Sequence, residues 1–223
     1  MTSPQVHLAL DANDPHGDQP LLVAGEPLTS AAVALVLVHG RGGTPEGMLP
    51  IGRAAKATHV ALLAPRAAGN AWCPHRFLAP FASNEPHLSS ALASIDRAVR
   101  LAESTGIPRS RIVLAGFSQG ACLSVEYVSR NGTRYGGVAA FAGALMGSDA
   151  DTRADVGTLD GTPIVLACGD ADEYIPVPRV HAAAAALTGR GAIVDERIYP
   201  GVGHSIVGDQ LAALRAMIEQ LGA

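Results

Sequence analysis

A mainly parallel α/β sheet, covered by helices on both faces and folded as one domain, is the class that this sequence predicts. Three observations carry the prediction. Short apolar runs recur along the chain, and the one at residues 33–38, VALVLV, is continuous, as a strand buried on both faces requires. Segments with apolar residues three and four apart fall between these runs, which is the spacing of a helix with one buried face. Gly and Pro mark the boundaries. Strands that alternate with helices need crossovers over a parallel sheet.

Taken in order, residues 6–10 and 21–24 read as short antiparallel strands that lead into the sheet. Strands follow at 33–38, 60–63, 111–115, 137–141 and 164–167, with a last, more alternating one at 193–199. A helix begins after Asn84-Glu85-Pro86 and ends before Gly106, with Leu88, Leu92, Ile95, Val99 and Ala102 on one face. A second starts near Ser118 and turns Ala121, Val125 and Val128 inward. Residues 180–187 are Ala-rich and helical, and Leu211, Leu214, Ile218 and Leu221 define a C-terminal helix. Two long connections remain, 65–85 and 143–162, and loops of that length in a compact domain are commonly functional. No linker or repeat divides the chain, so residues 1–223 form one domain on which the first thirty residues pack.

Composition narrows the function. Hydrophobic residues make up 48% of the 223, enough for a sizeable core, and the 16% of charged residues is not that of a disordered chain. The formal net charge of -4, with no Lys/Arg run, argues against nucleic acid as a partner. The apolar stretch at 31–38 is too short to span a bilayer, and the N-terminal MTSPQVHLALDANDP lacks the pattern of a secretory signal. Cys73, Cys122 and Cys168 stand in unrelated contexts, which fits neither a disulfide framework nor a zinc site. A cytoplasmic protein without metal or organic cofactor is expected.

The chemistry-bearing motif is Gly116-Phe117-Ser118-Gln119-Gly120, a G-x-S-x-G between a strand and a helix. There a sharp turn lifts the Ser hydroxyl at the carboxyl end of the strand, and the glycines make room for the turn. A nucleophilic serine needs a base. His204, in Gly201-Val202-Gly203-His204-Ser205, follows the last strand, late in the chain as the order Ser, acid, His demands. The acid should follow the preceding strand, where Asp170, Asp172 and Glu173 are all available and spacing does not choose among them. The loop His39-Gly40-Arg41-Gly42-Gly43 after the strand 33–38 can aim a backbone N–H at an oxyanion, and the N–H of Gln119 is the natural second donor. A phosphate-binding reading of this loop fails on the missing G-x-x-x-x-G-K-[ST] pattern.

With these pieces in view, the sequence resembles the phospholipase/carboxylesterase family of α/β-hydrolases, which includes acyl-protein thioesterases. The resemblance rests on Val38-His39-Gly40-Arg41-Gly42-Gly43, Ala64-Pro65-Arg66, Gly116-Phe117-Ser118-Gln119-Gly120, the stretch Gly169-Asp170-Ala171-Asp172-Glu173-Tyr174-Ile175-Pro176, and Gly203-His204. It implies a cap-less α/β-hydrolase fold, with Asp172 as the acid and the N–H groups of Arg41 and Gln119 as the oxyanion hole. Two residues depart from the family pattern. Arg41 replaces an apolar residue usual in the thioesterase branch, and Cys168 replaces a His. The segment Ala64-Pro65-Arg66 to Phe77 is similar to a pocket-edge loop, so Trp72 and Phe77 are expected to border a substrate pocket, with Met146 and Tyr174 as further candidates.

The expectation is therefore a serine carboxylesterase acting on a small-molecule ester through an acyl-enzyme on Ser118. Thioesterase or lysophospholipase activity is the alternative, and a ligand-binding protein on a hydrolase scaffold is the non-enzymatic one. No insertion between the strands offers a cap, and the loop 143–162 carries Asp149, Asp151, Asp155 and Asp160 with few large apolar residues. Short to medium acyl chains are expected for that reason, as is an acidic rim that repels anions. A homodimer is allowed by the sequence and membrane insertion is not expected.

Overall fold

The computed structural model describes residues 5–6, 14–55 and 58–222. Their centre is one eight-stranded sheet, ordered β1-β2-β4-β3-β5-β6-β7-β8. The strands are β1 (Gln5–Val6), β2 (Leu21–Gly25), β3 (Val33–Val38), β4 (Val60–Pro65), β5 (Ile112–Phe117), β6 (Gly137–Phe141), β7 (Pro163–Gly169) and β8 (Ile193–Tyr199). β1 and β2 are antiparallel to their neighbours, and every pairing from β4 to β8 is parallel. The expected first strand is described only at Val6; residues 7–10 lie outside the described residues.

Along β3 the side chains alternate between two cores. Ala34, Val36 and Val38 join one cluster, and Val33, Leu35 and Leu37 join the other. The first core is closed by α3 (His87–Ser104), α4 (Gln119–Arg130) and α5 (Val177–Gly189), through Leu88, Ile95, Leu123 and Leu187. The second is closed by α1 (Pro45–Ala54) and α6 (Gly208–Glu219), through Met48, Leu49, Leu214 and Ile218. A one-turn helix, α2 (Phe81–Asn84), precedes α3.

Sequence periodicity did not reveal α1. Pro50 lies inside it, and Gly47 and Gly52 weaken its propensity. Local chemistry compensates at its start: Thr44 caps Gly47 N–H at 3.2 Å, and Pro45 occupies the first turn. Gly52 lets the helix lie close on the sheet, because a Cβ there would meet Leu37 Cδ1 at 2.9 Å.

The strand order positions the site. β3 stands between β4 and β5, so the chain leaves β3 toward α1 on one face and leaves β5 toward α4 on the other. The connections diverge there, and a crevice opens beyond the carboxyl ends of the strands. Among the described residues, no helix is long and apolar enough to cross a membrane.

Candidate active site

Ser118 sits in that crevice, between β5 and α4, with φ 56° and ψ -121°. This is an unfavourable conformation for a residue with a Cβ, and the packing around it holds the residue there. Its N–H donates to Phe141 O at 2.9 Å, and Cys122 N–H donates to its carbonyl at 3.0 Å. Both flanking glycines are dictated by space. A Cβ on Gly120 would lie 2.1 Å from Val38 O, and one on Gly116 would lie 2.3 Å from Gly120 O. The G-x-S-x-G spacing is thus the footprint of a helix start pressed against the ends of two strands.

The hydroxyl of Ser118 lies 2.8 Å from His204 Nε2, and His204 Nδ1 lies 2.7 Å from Asp172 Oδ2. A carboxylate only accepts, so Nδ1 carries the proton and Nε2 is free to accept from Ser118. Asp172 is fixed in turn: its other oxygen accepts from the N–H groups of Tyr174 at 2.8 Å and Ile175 at 3.0 Å. Burial pushes the Asp172 carboxyl up, but the His204 imidazole and these two N–H groups outweigh it and hold the carboxyl below its usual range. Asp170, two residues earlier, points elsewhere and accepts from Gly201 N–H at 2.6 Å, bracing the turn that leads to His204. Glu173 lies on the rim of the cleft. Of the three carboxylates that spacing left open, Asp172 is the one that reaches the imidazole.

Aromatic rings flank the imidazole, Phe117 and Tyr174 each with its centroid 4.8 Å away. The chain Asp172–His204–Ser118 can draw the proton from the hydroxyl and hold the resulting imidazolium. One turn further along α4 is Cys122, also facing the cleft, but burial pushes its thiol up to about 12. It is not a competing nucleophile.

Gln119 opens α4, so its N–H has no acceptor within the helix. Arg41, between Gly40 and Gly42, lines the same cleft, and a Cβ on its neighbour Gly40 would lie 3.2 Å from Ser118 Cβ. Among the described residues neither of these N–H groups donates to a protein acceptor. Two unpaired donors beside an activated hydroxyl are suited to receive a developing oxyanion.

The cleft has a volume of about 980 Å³. Met48 and Ile51 of α1, with Phe77, Phe117, Tyr174 and Ile175, supply its apolar lining. Phe77 and Tyr174 are therefore at the pocket, but Trp72 and Met146 are not. Trp72 is fully buried beneath the loop, its indole N–H donating to His39 O at 2.9 Å and its ring against His39 at 4.9 Å. Met146 lies in the core, its N–H on Glu126 at 3.2 Å. Sequence reasoning missed Met48 and Ile51 because it missed α1.

The acidic rim is also corrected. No residue of 143–162 lines the cleft. The charged residues that do are Arg41, Arg76 and Glu173.

A sequence model of the phospholipase/carboxylesterase family matches residues 23–221. A crystal structure of a phospholipase/carboxylesterase from Dyadobacter fermentans superposes with a TM-score of 0.86 at 38% identity, covering 89% of this chain and 95% of that one. A carboxylesterase from Mesorhizobium loti, at 21% identity and a TM-score of 0.70, covers 98% of this chain and 99% of its own and shares the fold. Acyl-protein thioesterase 1 of Gibberella zeae is 32% identical over 118 residues, 52% of this chain and 50% of that protein. The chain spans about half the length of the curated relatives it matches. The family match across the sheet and both loops, together with the close structural likeness, establishes that the chain belongs to the phospholipase/carboxylesterase family of α/β-hydrolases.

Proposed function

We propose that the protein is a carboxylic ester hydrolase that works through an acyl-enzyme on Ser118. The observation that carries this reading is the unbroken hydrogen-bonded chain from Asp172 through His204 to Ser118. His204 takes the hydroxyl proton as Ser118 Oγ attacks the ester carbonyl. The N–H groups of Arg41 and Gln119 receive the oxyanion. His204 then returns the proton to the leaving alcohol, and water, activated by the same imidazole, releases the acid.

Short to medium acyl chains suit the cleft. Its apolar lining, from Met48, Ile51, Phe77, Phe117 and Ile175, is interspersed with Arg41, Arg76, Glu173 and the polar loop at residues 39–44, which favours a short apolar chain over a long one. The named likeness to an acyl-protein thioesterase keeps thioester hydrolysis as the second reading. Paired oxo- and thioesters of one acyl chain discriminate between them. A cytoplasmic location fits three unpaired thiols.

The test is labelling and turnover. A fluorophosphonate should label the wild-type protein at Ser118, and Ser118→Ala should abolish both labelling and p-nitrophenyl butyrate hydrolysis, by about 10⁴-fold or more. Asp172→Asn should cost about 10³-fold or more, because it leaves His204 in the wrong tautomer, and Asp170→Asn far less. A wild-type protein that neither labels nor turns over would overturn the reading and favour a ligand-binding protein, and a folded Ser118→Ala variant with full turnover would overturn the acyl-enzyme on Ser118.

A further inference from the structure

The residues that carry the two candidate oxyanion N–H groups share an unexpected feature: their side chains end on the same carbonyl. The Arg41 guanidinium donates to Cys73 O at 2.7 Å, His75 O at 2.9 Å and Pro74 O at 3.2 Å. The Gln119 carboxamide donates to Cys73 O at 3.0 Å and accepts from Trp72 N–H at 2.8 Å. A carbonyl has two lone pairs, and Cys73 O uses them on these two side chains. The strap at residues 72–75 therefore spans the crevice from the β3 loop to the start of α4.

The strap is itself held from below. Trp72 donates its indole N–H to His39 O at 2.9 Å, two residues before Arg41. Its carbonyl accepts from His16 Nε2 at 2.9 Å. Arg41 stands in a Gly-rich turn, Gly40-Arg41-Gly42-Gly43, that is closed by Gly43 N–H on Gly40 O at 3.0 Å and tied to Asn70 O by Gly42 N–H at 2.7 Å, with Gly42 at φ +75°. The Arg41 side chain adds to these backbone bonds a further tie, at the residue whose own N–H faces the oxyanion.

We infer that the side chains of Arg41 and Gln119 are positioning groups, which aim the two oxyanion N–H donors by clamping them to the shared carbonyl of Cys73. This rests on the acyl-enzyme reading above. The guanidinium fork matches three converging carbonyls in a way that an ammonium does not. Arg41, which departs from the apolar residue usual in the thioesterase branch, thus acts through its side chain on its own backbone.

The variants Arg41→Met and Gln119→Met keep both N–H groups and much of the side-chain volume. Each should lower kcat on neutral p-nitrophenyl butyrate by about 10- to 100-fold, with KM within about twofold, since small misplacements of a transition-state donor act on the chemical step. Binding of a trifluoromethyl ketone of the same chain, which forms the oxyanion, should weaken in proportion. Binding of the non-fluorinated ketone should not change. Arg41→Lys should recover part of the loss, and the double variant should lose less than the product of the two singles, because both act through one carbonyl. Wild-type kcat in the folded single variants would overturn the inference. So would a KM increase confined to anionic esters, which would make Arg41 a substrate anchor, or a lowered melting temperature with unchanged kcat per folded molecule. If the wild-type protein takes no fluorophosphonate label, the acyl-enzyme reading itself fails. If it labels while the variants keep full kcat, only the clamp fails.

Discussion

The two long loops, residues 65–85 and 143–162, are similar in length, and the fold uses them in opposite ways. The first lies over the crevice and is held mainly through its backbone: His39 accepts Ala67 N–H at 3.1 Å, His16 accepts Ala68 N–H at 3.1 Å, Gln119 accepts Trp72 N–H at 2.8 Å, and the Arg41 guanidinium donates to Cys73 O at 2.7 Å. The second does not line the cleft, although its Gly147 N–H donates to Phe77 O at 2.8 Å, and its side-chain anchors are charged. Arg153 donates to Glu126 at 2.9 Å and to Asp155 at 2.7 Å, and Glu126, fully buried, also pairs with Arg130 at 2.6 Å. Loop length thus marked where structure was irregular and not where the chemistry lay. What separates the two is whether their anchors lie in the loop at residues 39–43 and the turn at Ser118.

The largest expected effects test that separation. Trp72→Ala removes a fully buried ring and should cost about 3–5 kcal/mol. It should also lower kcat, because the strap loses its floor. Arg153→Ala strips a buried carboxylate of one partner and should cost about 3 kcal/mol, at the low end for a broken buried pair because Arg130 remains. Turnover per folded molecule should stay near wild type. Chemical unfolding curves and active-site titration measure both quantities. An Arg153→Ala protein with impaired kcat would show that the second loop reaches the site after all.

Much of this arrangement was readable in the sequence, for a physical reason. Strands buried on both faces must be continuous apolar runs, and residues 33–38 could be little else. The glycines at 116 and 120 carry steric information that reaches across the sheet, so the nucleophile turn was legible from five residues. The choice of Asp172 over Asp170 came only from resemblance, since two acidic residues two apart differ in which turn N–H groups they meet, and that is decided in three dimensions. Three things were not legible. α1 hid behind Pro50, because its stability comes from packing on the sheet and not from propensity. Trp72 reads as a pocket aromatic until its indole N–H finds His39 O. The clamp on Cys73 joins residues more than thirty positions apart, so no local pattern encodes it.

A middle-sized effect separates the loops by pH. Burial lowers the imidazoles of His39 and His16, overriding the Gly40 and Trp72 carbonyls that favour the proton. Their hydrogen bonds require neutral rings, each accepting a backbone N–H. The unfolded chain binds these protons near the ordinary value of about 6.5, and the fold binds them only at lower pH. Their stabilisation is therefore full above about pH 6.5 and is lost as pH falls through the folded values. In the second loop, burial pushes the Asp155 carboxyl up, but Arg153 and Ser129 outweigh it and hold it below its usual range. That contribution is present above about pH 4 and is lost only as pH falls further. The melting temperature should drop between pH 7.5 and 5.5. His39→Asn should be less stable at pH 7.5 by about 1–3 kcal/mol, since Ala67 N–H loses its buried acceptor. It should also show a shallower drop. An equally steep drop in a His39→Asn, His16→Asn double variant would mean that other groups set the pH dependence.

The smallest effect concerns charge at the rim, where the loops again differ. Asp149 belongs to the second loop, is 93% exposed at its side chain and pairs with Arg179, outside the cleft. Arg76 belongs to the first, is exposed, lines the cleft and donates to Tyr174 O at 3.2 Å. Glu173 faces the same opening with the opposite sign. An anionic ester approaching Ser118 passes Arg76 and Glu173 but not Asp149. The readout is the ratio of kcat/KM for p-nitrophenyl hemisuccinate to that for neutral p-nitrophenyl butyrate. Arg76→Ala should lower the ratio about two- to fivefold at low salt, as expected of a single exposed charge at close range, and Glu173→Gln should raise it. Both changes should shrink in 0.5 M salt, where screening shortens to a few ångströms. Asp149→Ala should leave the ratio unchanged at any salt. If Asp149→Ala instead raises it as much as Glu173→Gln does, the field of the second loop extends over the opening, and the division of labour between the loops holds for contacts but not for electrostatics.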